Sequence, residues 1–288
     1  MTTTLAAPDG ITPETPSSSA VSRPRRRLHG RWILPLWSWL VILWLVAPIL
    51  VMIVFSFNDG TGRTVSTNWQ GFTFRWYEHL FSSSDLTHAL VNSITIGLLT
   101  TVISVVLGTL MGVAMGRRKF FGIGSVNLLL FANIAAPEVV LGAALLSLFL
   151  TMHIPLGYGT ILIAHVMFSV AYVVVTVRAR MAGQDPALEE AAHDLGAGPV
   201  TTFLRVTLPG IMPGITAGGL LAFVMSIDDY IITSFNNGTT QTFPLWVYGA
   251  SVRNGGGVPP QTYGVGSLIF VIGVLLAVGG AIWNRRKV

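Results

Sequence analysis

The sequence predicts an all-α membrane protein with six transmembrane helices and a polar helix-turn-helix set between the fourth and the fifth. Three observations carry this prediction. Hydrophobic residues make up 52% of the 288 and charged residues only 10%, with a mean hydropathy of +0.67, a balance outside that of soluble domains. Apolar runs long enough to cross roughly 30 Å of hydrocarbon occupy most of the chain, leaving only short polar connections and a single membrane domain over 32–288. The basic residues stand in blocks beside those runs, where they orient helices on the inner leaflet and do not form a nucleic-acid surface.

Residues 1–31 are rich in Ser, Thr and Pro and end in Arg23, Arg25, Arg26, Arg27 and Arg31, the composition of a disordered basic tail. The first apolar run, Trp32 to Phe57, is too long for a signal-peptide core and reads as an uncleaved span, with Trp32, Trp37 and Trp39 toward its inner end and Pro48 as a kink site. A polar stretch follows to about Thr87. The second span, about Ala89 to Met115, carries Thr100, Ser104, Gly108, Gly112 and Gly116 every four residues, a face that admits close approach by another helix. Arg117, Arg118 and Lys119 end it. The third span, about Ser125 to Thr151, holds Pro137-Glu138 inside its apolar run, which predicts an irregular middle. The fourth, about Gly159 to Val177, contains His165 as its sole group that changes charge near neutral pH, read as a hydrogen-bonded packing residue. The fifth, about Gly210 to Thr233, repeats the small-residue device at Gly210, Gly214, Gly218, Ala222 and Ser226 and includes Asp228-Asp229. A Gly-, Pro- and Asn-rich connection leads to the sixth, about Tyr263 to Trp283.

The hairpin, 184–209, has its own signals. Asp185 is placed to cap a helix whose first position is Pro186, and Leu188, Ala191, Ala192 and Leu195 recur along one face. Gly196 stops that helix in a left-handed turn. Gly198-Pro199 opens a second helix, with Val200, Phe203, Leu204 and Thr207 expected on its buried side and Leu208-Pro209 expected to close it.

Counting basic residues by segment gives fourteen on the side of the tail, the hairpin and the C-terminus, against Arg63, Arg75 and Arg253 on the other. The positive-inside rule then puts both termini and the hairpin in the cytoplasm.

Several chemistries are excluded. The two lysines, Lys119 and Lys287, each follow an Arg, so there is no Gly-Lys pair and no phosphate-binding P-loop. The absence of cysteine, of H-E-x-x-H and of G-x-S-x-G leaves no thiolate site, metalloprotease or serine hydrolase motif, so no catalytic and no metal-ligating residues are assigned. Glu138, Asp228 and Asp229 are the acids within the predicted spans. Acids at such depth are costly without partners or work, which makes the three candidates for a pathway taken by cations. An ion-coupled secondary transporter would use them too, but the last three spans do not repeat the first three, and such a transporter has no use for the hairpin.

Glu190-Ala191-Ala192, Gly196, Val206 and Leu208-Pro209 stand at the spacing of the signature of the membrane subunits of bacterial ATP-binding-cassette importers, and the chain resembles that family. The resemblance implies that this hairpin is the coupling element that docks on a separate ATPase subunit. It also implies a second homologous permease, an extracytoplasmic substrate-binding protein, a place in the cytoplasmic (inner) membrane, and no cofactor of the chain's own, ATP being bound by the partner. Asn92-Ser93, Pro137-Glu138, Val173 to Arg178, Ala191 to Ala197, Ser226 to Asp229, Ser234-Phe235 and Pro244 to Tyr248 look like the second permease of spermidine/putrescine importers, over about 32–283. Polyamines carry several positive charges, and carboxylates along their path offset lost hydration. Permeases for other small solutes share the architecture and stand as the alternative.

Overall fold

The computed structural model describes residues 33–60, 65, 68–117, 120–255 and 257–285. The predicted basic tail, Trp32, Arg63, Arg118, Lys119, Arg286 and Lys287 lie outside them. The described residues are helical, with an isolated antiparallel bridge between Asn58 and Phe72. The described residues up to Pro48 group as one compact unit and those from Ile49 onward as a second.

Helix α1 spans Ile33–Phe55. In the first unit, every side chain from Pro35 to Leu45 is exposed. An all-round apolar surface of this kind, including Trp37 and Trp39, suits a helix solvated by lipid.

In the second unit, α3 (Ser84–Arg117), α6 (Tyr158–Ala182) and α9 (Leu208–Asp228) form the core, each packed on the other two. Their small-residue stripes explain the arrangement, because both face α6. A Cβ on Gly108 would lie 2.6 Å from Val173 Cβ, one on Gly112 would lie 2.9 Å from Val177 Cγ1, and one on Gly218 would lie 3.0 Å from Val173 Cα. Backbones this close maximise dispersion contact where lipid removes the hydrophobic drive between helices. Val173, Val177, Ile211, Ile215 and Ala222 fill the space between α6 and α9.

The third predicted span is two helices, α4 (Ile123–Ala135) and α5 (Glu138–Thr151), bent by 110°. Pro137 supplies no N–H and drives Ala136 to an extended backbone with ψ 136°, so the break is complete where the sequence reading expected only irregularity. The fifth run also ends earlier than expected. Asp229 is extended at ψ 121°, and a separate short helix, α10 (Ile231–Asn236), takes up Thr233. Two further elements went unread: α2 (Arg75–Glu78) in the first connection and α11 (Phe243–Arg253) in the second. Helix α12, Pro260–Arg285, carries the sixth run. By length and apolarity α1, α3, α6 and the helix ending in α9 each suffice to cross a bilayer, and the bent pair makes a fifth crossing if counted as one; in α12 the apolar stretch among the described residues is Pro260–Leu275.

The hairpin consists of α7 (Ala187–Asp194), α8 (Pro199–Thr202) and a π-helical turn, Phe203–Thr207, that runs without interruption into α9. Leu208-Pro209 therefore does not close the second helix, contrary to the sequence expectation. Pro209 lies in the first turn of α9, and the wider preceding turn accommodates both its missing N–H and its ring.

Candidate functional site

Two regions gather the predicted residues. The first is the hairpin. Asp185 Oδ1 accepts a hydrogen bond from Ala187 N at 3.0 Å and caps α7 as expected. At the other end Gly196 has φ +83°, its N–H reaching His193 O at 2.9 Å while Ala197 N reaches Ala192 O at 3.0 Å, the paired bonds of a Schellman stop. Glu190 and Ala191 are exposed and Ala192 is half-buried. Leu188, Leu195, Val200 and Leu204 are 59%, 89%, 71% and 52% exposed. The sequence reading placed Val200 and Leu204 on a buried side. In the fold the inward side of this segment is Thr202, Val206 and Thr207, because α8 continues into α9 and takes its rotation from it. Leu208 is half-buried against the α6–α9 core and Pro209 is exposed. The side chains of Leu188, Leu195, Val200 and Leu204 are left largely uncovered by the rest of the described chain.

Glu189, one residue before the signature triplet, turns inward. Thr207 Oγ1 donates to its Oε1 at 2.6 Å, and Arg117 Nη2, at the end of α3, donates to both Glu189 Oε1 and Thr207 Oγ1. Sequence reasoning missed this residue. Arg117 was visible as part of a basic block, but nothing local links it to a carboxylate 72 positions away.

The second region is a cavity of about 430 Å³ bordered by Glu138, Phe168, Val224, Met225, Asp228, Asp229, Tyr230 and Ile231. All three predicted pathway acids meet there. The Pro137 break delivers Glu138 to the rim as the first residue of α5, with its side chain exposed. Asp228, the last residue of α9, is also exposed and borders a second cavity of about 690 Å³ lined by Tyr230, Tyr248, Phe243 and Val247 among others. The rings of Tyr230 and Tyr248 lie 4.8 Å apart beside it.

Asp229 has a different setting. Its side chain is 5% exposed, and it accepts hydrogen bonds from Thr233 N and Thr233 Oγ1, both at 2.7 Å, which caps α10. His165 Nε2 lies 3.2 Å from Asp229 Oδ2 and 2.9 Å from Thr233 Oγ1, and its Nδ1 lies 2.7 Å from Ser226 Oγ. The carboxylate only accepts, so Nε2 carries the proton between them. His165 is thus the hydrogen-bonded packing residue the sequence suggested, with a charged partner that the sequence did not show.

At the far end of α3, Asn92 Nδ2 donates to Gln241 O at 2.9 Å and Ser93 Oγ accepts from Phe243 N at 2.8 Å, satisfying an otherwise unpaired donor in the first turn of α11. Among the described residues no cluster of His, Asp and Glu is arranged to hold a metal ion.

Relatives of known kind share this chain. The spermidine/putrescine transport system permease protein PotC of Escherichia coli is 33% identical over 263 residues, covering 91% of this chain and 96% of that protein. PotC of Haemophilus influenzae is 33% identical over 86% of this chain and 94% of its own. The putrescine transport system permease protein PotI of E. coli is 37% identical over 83% and 85%. In fold, a bacterial ABC transporter that imports the polysaccharide alginate, solved with its alginate-bound periplasmic protein, superposes with a TM-score of 0.64 at 15% identity over 89% of this chain and 95% of that one. An amino acid ABC transporter gives 0.56 at 17% over 75% and 100%. Residues 104–286 match the family described as binding-protein-dependent transport system inner membrane component. That stretch runs from the glycine face of α3 through the hairpin and the acidic cavity to α12, and with relatives above 30% identity over most of its length, the chain belongs to this family of multi-pass inner-membrane permeases.

Proposed function

We propose that the chain is the transmembrane permease subunit of an importer for polyamines of the spermidine and putrescine class. The observation that carries this reading is the convergence of Glu138 and Asp228 on one cavity, beside the Tyr230–Tyr248 pair. An extended polycation leaving water gains from spaced carboxylates and from aromatic faces, whereas an anion or a neutral sugar does not. The names of PotC and PotI fit the same substrate class.

In this reading the chain crosses the membrane six times, by α1, α3, the α4–α5 pair, α6, α9 and α12, with both termini and the hairpin in the cytoplasm. It pairs with a second homologous permease, stands on separate ATPase subunits that hold the nucleotide, and is loaded by an extracytoplasmic binding protein. The exposed apolar face of Leu188, Leu195, Val200 and Leu204, together with the signature residues Glu190, Ala191, Ala192, Gly196, Leu208 and Pro209, makes the contact through which the ATPase acts. Closure of the ATPase pair pushes the hairpins together and rocks the bundles so that the acidic cavity opens outward to accept the cation. Hydrolysis returns it inward. Uptake of labelled spermidine, putrescine and an uncharged solute in cells lacking and regaining the chain tests this: polyamine uptake returns with the chain while the uncharged solute is unaffected. Uptake of the uncharged solute alone assigns the permease to another small solute.

A further inference from the structure

We propose that Arg117, Glu189 and Thr207 form a polar clasp that carries force from the coupling helix α7 into the bundle, with Arg117 as a positioning residue; this rests on the hairpin being the ATPase contact.

None of the eight residues of α7 is fully buried, so this helix is not anchored to the spans by a buried apolar side chain. Apart from its two chain connections it meets α8 and the π-helical turn. Its tie to α3 is the Glu189 carboxylate, which accepts from Arg117 Nη2 and from Thr207 Oγ1 at 2.6 Å. The three groups come from different elements: the end of α3, the middle of α7, and the junction at which the π-helical turn becomes α9. A charged, two-donor arrangement has a defined direction that a lone exposed ion pair lacks, and its side chains are less than one-third exposed. Thr207 is itself buried, so Glu189 and Arg117 grip the root of α9 and not a freely moving side chain.

The surroundings complete the linkage. Gln184 Nε2 donates to Thr207 O at 3.4 Å, and Arg180 Nε donates to Gly210 O at 3.0 Å, so the end of α6 holds the same turn from the other side. From Arg117, α3 runs back along its glycine face on α6 to Asn92 and Ser93, which bond the chain entering α11. That is about 37 Å of continuous helix at 1.5 Å per residue. Helix α11 contributes Val247 and Tyr248 to the cavity wall beside Asp228. A push on the outer face of α7 thus reaches α9 through Thr207 and reaches the substrate cavity through α3. A cavity of about 270 Å³ bounded by Arg117, Gln184, Asp185 and Glu189 leaves room beside the clasp for that movement.

The test uses the assembled importer with Arg117→Ala, Glu189→Ala and the shape-preserving Glu189→Gln, together with the exchange Arg117→Glu/Glu189→Arg. We expect the ATPase subunit to copurify in its normal ratio in each, labelled spermidine uptake to fall by about tenfold or more in the single variants, and ATP hydrolysed per spermidine imported to rise accordingly, since residues along a linkage modulate coupling by this order. The exchange should restore much of the uptake, which a purely structural role for either residue would not produce. Normal uptake in Glu189→Gln and Arg117→Ala overturns the clasp. So does loss of the ATPase subunit from these variants, because the residues would then shape docking and not transmission, and so does failure of the exchange to recover any uptake. Leu195→Glu on the exposed face separates the two ideas: if it neither releases the ATPase nor lowers uptake, the hairpin is not the docking element, whatever the clasp variants do.

Discussion

Asp228 ends α9 with its side chain exposed between two cavities, whereas Asp229 is buried with four donor atoms around its carboxylate: Ile232 N, Thr233 N, Thr233 Oγ1 and His165 Nε2. The helix stops between them, and the two side chains meet different surroundings. Asp228→Asn should lower spermidine uptake by severalfold while leaving the yield and thermal stability of the complex unchanged. Asp229→Asn presents an NH₂ group where donors now point, and each buried donor left without an acceptor costs about 1–3 kcal/mol. Its complex should therefore melt at a lower temperature and be recovered in smaller amount. Thermal unfolding of both purified variants beside uptake checks the pair, and equal behaviour would contradict the division of roles. The sequence could show that two acids lay deep in an apolar run, but which one had partners depended on His165, 64 positions away.

At the level of elements, the hairpin was legible because its punctuation is local. The Asp185 cap, the Gly196 turn and the Gly198-Pro199 restart each depend on residues within five positions of one another. Its faces were not legible, since hydrophobic spacing cannot say whether an apolar stripe meets this chain or another one. Gly196 offers a direct test. A Cβ there meets nothing within 4 Å, so the obstacle to substitution is the backbone at φ +83° and not crowding. Left-handed geometry costs an L-residue about 1–2 kcal/mol, more for a β-branched one and less for Asn. Gly196→Val should abolish most uptake with the chain still inserted, and Gly196→Asn should retain most of it; membrane fractionation and uptake assays distinguish these outcomes. The broken third span was half legible in the same way. Pro137 announced an interruption, but its size, 110°, is set by the packing of α5 on α10, where Gly142 lies against Ile232 and Phe235.

At the scale of the whole molecule, the charge distribution predicts the orientation. A reporter fused after Lys287 should be active only as a cytoplasmic fusion, and one inserted near Gly255 only as an exported one. The reverse pattern would place the hairpin where no cytoplasmic ATPase can reach it. Composition, hydropathy and local residue spacing were enough to establish a helical membrane protein, its apolar runs, the two small-residue faces and the polar hairpin, because each is written in residues a few positions apart and in the solvent those residues prefer. Packing alone chose which helix both small-residue faces meet, brought Glu138 of one broken span to Asp228 of another, paired Asp229 with His165, and turned Glu189 inward while leaving Glu190 outside. Those outcomes rest on contacts between residues tens of positions apart, and a helix presents the same sequence to every neighbour until the chain's path decides which one is there.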